Sequence, residues 1–315
     1  MKRKIKIINI HRFILAVIIF ILIIVLGVKI FNSTLKNKDS NNYEISSKKS
    51  ANEIVETPKI ENTNDITKSQ DTKKEKNKKH ESKAIPLAEG KKSNNTLPVL
   101  MYHYFYDDSK GEEAPDSNYM PTSSFEAQLK YLSENDFYYP TWEEVADFVD
   151  GKIDLPDKSV LLTMDDGDES VFDLALPLLE KYKVPATSFI ITSEFDEKKL
   201  EKYADSIIDF ESHTDNMHRG GGTIGHGGIF PELSLEEGTE DLKTSIKKLG
   251  GNSGALAYPF GDCTEKTKKA AKNAGFKVAF TTVNKSVKPG MDKYELPRLR
   301  MFSDIKLAGF KYYVE

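Results

Sequence analysis

The sequence predicts an α/β fold built on a parallel sheet, and three observations carry that prediction. From residue 97 to the C-terminus, short β-rich apolar runs alternate with helical patterns, the order that lays helices over a parallel sheet. The run 159–164 is apolar and ends in acids, as a buried parallel strand does when its C-terminal end carries chemistry. The 219 residues from 97 onward are enough to bury a full core without disulfides, and the single cysteine, Cys263, permits none within the chain. An open doubly wound sheet and a closed (β/α) barrel both satisfy this alternation.

The elements follow in order. Residues 98–104 read as a strand. Residues 124–134 read as a helix opened by a Ser/Thr cap, with Phe125, Leu129 and Leu132 on its apolar face. Thr141 and Glu144 form a capping box ahead of a helix over 142–149. Strand 159–164 precedes a helix over 171–182, and 186–191 is the next strand. After an apolar stretch at 207–210, a helix rich in surface charge covers 234–249. A strand at 255–258, a helix over 264–274 closed by Gly275, a strand at 278–282 and a short strand at 297–301 complete the series. The segment 220–228 is too rich in glycine for an element and is expected to be a loop. Its His226 reads as a mobile loop histidine, and Cys263 reads as a packing residue.

The first third is of another kind. Residues 1–96 hold 20 Lys+Arg against 10 Asp+Glu, whereas 97–315 hold 25 against 39, so the net charge of -4 averages +10 with -14. A nucleic-acid binder with a basic folded part is excluded, because the folded part is acidic. Residues 13–28 are an unbroken apolar run, which extends to Phe31 to make 19 residues behind the basic flank 1–12. That is the length of a membrane span, and the flank places the N-terminus in the cytoplasm and the rest of the chain outside. No small-x-small cleavage site follows closely, so a retained anchor at 13–31 is expected over a cleaved signal peptide. Residues 32–96, with Tyr43 their only aromatic, are expected to be a disordered linker of about 45 Å root-mean-square reach.

Three sequence features carry chemistry at or just past strand ends. Asp165 and Asp166 close the strand at 159–164, and adjacent residues of extended chain point to opposite faces. One can then ligate a metal while the other serves as a base. His213 and His218 follow the apolar stretch at 207–210, and two histidines with a carboxylate make the three-ligand set of a catalytic zinc-type site. His103 lies inside the strand-like segment Met101-Tyr102-His103-Tyr104. A fourth feature, Ala257-Tyr258-Pro259-Phe260-Gly261, is a strand ending in a rigid turn whose backbone groups can face a pocket.

Together, the string 161–167, His213 to His218, and Tyr258-Pro259-Phe260-Gly261 resemble the NodB-homology polysaccharide deacetylases, carbohydrate esterase family four. The resemblance covers 97–315. The five-residue spacing of the histidines and the Tyr-His motif at the front of the domain are similar to the PgaB/IcaB branch, which acts on poly-N-acetylglucosamine. The resemblance implies a distorted (β/α) barrel of about seven strands. It further implies Asp165 as general base, His103 as general acid, and Asp166, His213 and His218 as ligands of one divalent ion. Zinc is favoured by ligand type, with cobalt, nickel or iron able to serve. Phe260 takes the place whose backbone amide helps hold the oxyanion, with Tyr258 beside it in the substrate motif.

The chain departs from the family at Met164, at Phe260, at Asp168, which adds a third negative charge to the turn, and in lacking an Arg before the Pro motif. Arg298, or else Arg300, is expected to tether Asp165 instead. The expected substrate is an extracellular N-acetylglucosamine polymer, poly-N-acetylglucosamine first and peptidoglycan second. An inactive carbohydrate-binding module is the competing class. Expected partners are the polymer, the membrane through the N-terminal helix, and envelope polysaccharide export machinery.

Overall fold

The computed structural model describes residues 80–315 apart from 89, 92 and 94. The expected anchor at 13–31, its flank and the expected linker as far as 79 lie outside the described residues. Among those described, no helix is long and apolar enough to cross a membrane. The strands are β1 (Ile85–Pro86), β2 (Val99–Tyr102), β3 (Tyr104–Tyr106), β4 (Tyr119–Pro121), β5 (Ile153–Asp154), β6 (Leu161–Met164), β7 (Ala186–Ile190), β8 (Ile208–Ser212), β9 (Ala255–Ala257), β10 (Val278–Phe280) and β11 (Leu299–Arg300).

Seven of these strands form one parallel sheet in the order β10-β9-β8-β7-β6-β2-β11. The sheet curls strongly, because one stretch of chain bonds to both of its ends. Leu296 exchanges hydrogen bonds with the β10 backbone at Ala279 and Thr281, and three residues on the same stretch becomes β11 and pairs with β2. Alternation along the strands separates an inner core from two outer ones, the second of which gathers Leu256, Ala279, Leu242 and Ala270. Leu100, Tyr102, Leu162, Met164, Ile208 and Phe210 pack outward under the helices. Val99, Leu161, Phe189, Ala255, Ala257, Val278 and Phe280 fill the inside. By the same alternation Thr163, Asp165, Glu211, His213 and Arg298 belong to the inner face, and this places the polar groups at the C-terminal mouth.

The expected helices at 142–149, 234–249 and 264–274 form as Trp142–Val149, Leu235–Lys248 and Glu265–Ala274, each with a capping box on Thr141, Ser234 and Thr264. Three expectations are corrected. The strand expected over 98–104 breaks at His103, because Tyr104–Tyr106 leaves the sheet to pair with Tyr119–Pro121. The helix expected over 171–182 opens with a wide π turn, Val171–Ala175, before Leu176–Tyr182; Pro177 has no N–H to give the carbonyl four residues back. Helices Glu197–Tyr203 and Leu307–Val314 were not expected.

The end of the expected linker belongs to the fold. Strand β1 pairs with β5, and Leu87 donates its N–H to Lys152. His80 Nε2 lies 2.8 Å from the Tyr138 hydroxyl and 3.0 Å from Glu144. The low aromatic content that marks 32–96 says nothing about such polar docking.

Glu211 is buried on the inner face, where its carboxylate accepts the Ala255 N–H at 3.1 Å and abuts Gly254. Burial, reinforced by Asp209, pushes its pKa up to about 8. The folded value exceeds the unfolded one, so the native chain keeps a proton that the unfolded chain has lost. Stability from this group is therefore greatest below the unfolded pKa and declines as pH rises toward about 8. Glu211→Gln is expected to raise the melting temperature at pH 9 by roughly 4–8 °C, on the order of 2 kcal/mol, and to change it little at pH 5. Equal shifts at the two pH values would refute the assignment.

Candidate metal centre

The C-terminal ends of β6 and β8 and the turns after them build the site. Asp165 follows β6 and is held there by its N–H, donated to the Tyr102 carbonyl at 3.0 Å. The β2–β6 register, Tyr102 opposite Met164, sets His103 beside Asp165. Asp165 is 2% exposed and Arg298 is fully buried. The guanidinium donates to both carboxylate oxygens, Nη1 to Oδ1 at 2.7 Å and Nη2 to Oδ2 at 2.6 Å. Arg298 also donates to Thr163 Oγ1 and the Thr281 carbonyl, each at 3.2 Å, and lies over the rings of Phe189 and Phe280. Burial opposes the Asp165 charge, but the Arg298 guanidinium, with His213 and His103, outweighs it and holds the carboxyl below the usual range. The expected tether is thus Arg298. Arg300 instead donates to Asn118 Oδ1 at 2.6 Å and lies over Phe302.

Asp166 points the other way. The Nε2 atoms of His213 and His218 each lie 3.4 Å from its Oδ1, and that oxygen is buried without a hydrogen-bond partner. The three residues offer ligand atoms all within 4.8 Å of one another. The carbonyl of Ala257 accepts from His213 Nδ1 at 2.8 Å, which fixes the tautomer and leaves the Nε2 lone pair free for an ion. His218 is stacked on Phe260, with ring centroids 4.7 Å apart. An orphaned carboxylate oxygen facing two imidazole nitrogens fits a divalent cation. Burial again opposes the Asp166 charge, and the attraction of His213 and His103 and the Tyr104 hydroxyl hold it below the usual carboxylate range.

Among the described residues, three of the five non-glycine residues with positive φ lie in the loops of this site: Asp166 (73°), Thr214 (75°) and Phe260 (60°). Each costs on the order of 1–3 kcal/mol and persists only where its surroundings dictate it. Gly167 has no such latitude, because a Cβ there would meet Ile190 at 2.8 Å. Asp241 accepts the N–H groups of Asp215 and Asn216 at 2.8 and 3.0 Å, which holds the histidine loop in place.

Several expected site residues fall elsewhere. Tyr258 is fully buried and its hydroxyl donates to the Tyr294 carbonyl at 3.0 Å, so its side chain serves the core and not a substrate. Asp168 accepts from the N–H and hydroxyl of Ser170 at 2.9 and 2.5 Å; it caps the following turn while remaining on the wall of a cleft of about 360 Å³ with Asp166, Phe195 and His218. His226 is no ligand, since it sits 3.1 Å from Asp262. Nor is its loop loose, for Asp262 also accepts the N–H groups of His226 and Gly228 at 2.7 and 2.8 Å. Cys263 packs as expected, with burial pushing its thiol up to about 11. Tyr104, whose hydroxyl donates to Asp166 Oδ2 at 2.5 Å, was given no role on sequence; its place beside His103 was the only signal.

A curled parallel sheet with a buried carboxylate–arginine pair beside an Asp-His-His cluster that could hold a metal ion, all at its C-terminal mouth, suits a hydrolase. Residues 152–279 match the family described as polysaccharide deacetylase. The chain is 33% identical over 204 residues to the poly-beta-1,6-N-acetyl-D-glucosamine N-deacetylase of Staphylococcus epidermidis, covering 59% of this chain and 70% of that one. It is 30% identical over 245 residues to the protein of the same name from Staphylococcus aureus strain MRSA252, covering 68% and 81%. The fold is shared with the Streptococcus pyogenes deacetylase PplD (TM-score 0.60, 24% identity, 70% of this chain and 98% of that one). It is also shared with IcaB from Ammonifex degensii (TM-score 0.56, 24% identity, 70% and 95%). The chain belongs to the polysaccharide deacetylase family.

Proposed function

We propose that this protein removes N-acetyl groups by hydrolysis from poly-β-1,6-N-acetylglucosamine, the polymer named for its Staphylococcus relatives. The observation that carries the reading is the division of labour between neighbours: Asp165 is locked to Arg298, while Asp166 faces His213 and His218. Asp166, His213 and His218 would hold a divalent ion, zinc by ligand type, which would supply polarisation of the acetyl carbonyl and acidification of the attacking water. Asp165 accepts the proton of that water as its oxygen bonds to the carbonyl carbon. The turn at Phe260 directs a backbone N–H to the developing oxyanion. His103 donates a proton to the nitrogen as the C–N bond breaks, releasing acetate and a free amine. Burial lowers the His103 pKa, which makes its protonated form a stronger donor. We also propose that the apolar run at 13–31 anchors the chain, with the catalytic domain outside the cell beside the polymer export machinery.

The test is acetate release by the full chain from poly-N-acetylglucosamine oligomers and from peptidoglycan, with and without chelator. Acetate is expected from the first substrate, to fall to background on chelation and to return on adding Zn²⁺. Acetate from peptidoglycan alone would overturn the substrate, and release insensitive to chelation would overturn the metal.

A further inference from the structure

The two oxygens of Asp166 have different fates. Oδ1 is the orphan between His213 and His218, whereas Oδ2 accepts the Tyr104 hydroxyl at 2.5 Å. Tyr104 is itself held in place. Its N–H donates to the Asn118 carbonyl at 3.3 Å, it opens the short strand β3 against β4, and its ring packs on Tyr119 with centroids 4.8 Å apart. The need for such a hold is local. Asp166 stands in a loop at φ 73°, and a carboxylate that nothing restrains can turn to offer either oxygen or both to an ion.

We propose that Tyr104 is a positioning residue for the metal centre: its hydroxyl occupies Asp166 Oδ2 so that Oδ1 alone is presented to the ion shared with His213 and His218. The break of the sheet at His103 has a purpose on this view. It lets consecutive residues serve the two halves of the chemistry, His103 beside Asp165 and Tyr104 on Asp166. The proposal rests on the metal-centre reading above, and a binding measurement made without substrate separates the two.

The variant is Tyr104→Phe, which keeps the ring and its packing on Tyr119. Zn²⁺ affinity of the full chain is measured by competition with a chromogenic chelator, together with the absorption spectrum of the Co²⁺-loaded protein. The expected result is a roughly 10- to 100-fold weaker Zn²⁺ affinity and an altered Co²⁺ spectrum, with the melting temperature of the metal-free protein within a few degrees of the parent. If the variant melts lower, the Co²⁺ spectrum of its folded fraction still reports the ligand geometry. Zn²⁺ affinity within twofold of the parent and an unchanged Co²⁺ spectrum would overturn the proposal. So would a loss of kcat with affinity intact, because the hydroxyl would then act on substrate. A parent chain that binds no Zn²⁺ would remove the metal-centre reading as well.

Discussion

Asp165→Asn is expected to lower kcat for acetate release by about 10²- to 10⁴-fold, the range for removing a positioned proton acceptor, while one metal ion per chain is retained. The reason is that Asp165 touches none of the expected ligands' coordinating atoms. Its two oxygens are engaged by Arg298, whereas it is Asp166 Oδ1 that lies 3.4 Å from Nε2 of His213 and of His218. The amide of asparagine keeps the shape but accepts no proton. It also leaves the fully buried Arg298 without its counter-charge, so a lower melting temperature should accompany the lost rate. Metal analysis of the purified variant separates the two effects. A chain that holds its ion, stays folded at the assay temperature and still releases acetate within tenfold of the parent rate would show that another group takes the proton.

Much of this site was legible in the sequence because its parts obey local rules. Asp165 and Asp166 end a buried run and go to different partners as expected, although a turn separates them and not the alternation of an extended chain, since the strand stops at Met164 and Asp166 sits at φ 73°. His213 and His218 stand five residues apart after an apolar stretch, and the structure brings both to Asp166. The capping box at Thr141 and Glu144 was readable for the same reason, since both partners lie within one turn. What escaped depends on distant contacts. Tyr258 stands in a motif beside Phe260, yet its hydroxyl is claimed by Tyr294, 36 residues away. Asp168 does stay on the cleft wall beside Asp166, and what the sequence hides is that Ser170 engages its carboxylate. The break at His103 follows from pairing with Tyr119–Pro121, a segment with no strand signature of its own. The curling of the sheet rests on Leu296, whose bonds to β10 no periodicity announces.

Arg298→Met is expected to destabilise the fold by about 3–5 kcal/mol, the cost of leaving one partner of a buried ion pair behind, or roughly 10–15 °C in melting temperature. The arginine has no substitute in kind. It serves both oxygens of Asp165, Thr163 and the Thr281 carbonyl from one planar group that lies over the adjacent rings of Phe189 and Phe280, and a lysine offers only a single point charge on a flexible stem. Without the guanidinium, burial acts on Asp165 unopposed by its main counter-charge, so the carboxyl is driven toward its neutral form and ceases to accept a proton. Activity should therefore fall along with stability. The double variant Arg298→Met with Asp165→Asn tells these apart. With the uncompensated charge gone, it is expected to recover more than half of the lost stability and none of the activity. A double variant no more stable than Arg298→Met would mean that the arginine holds the fold through its aromatic and carbonyl contacts, and that its charge on Asp165 matters little to the folded state.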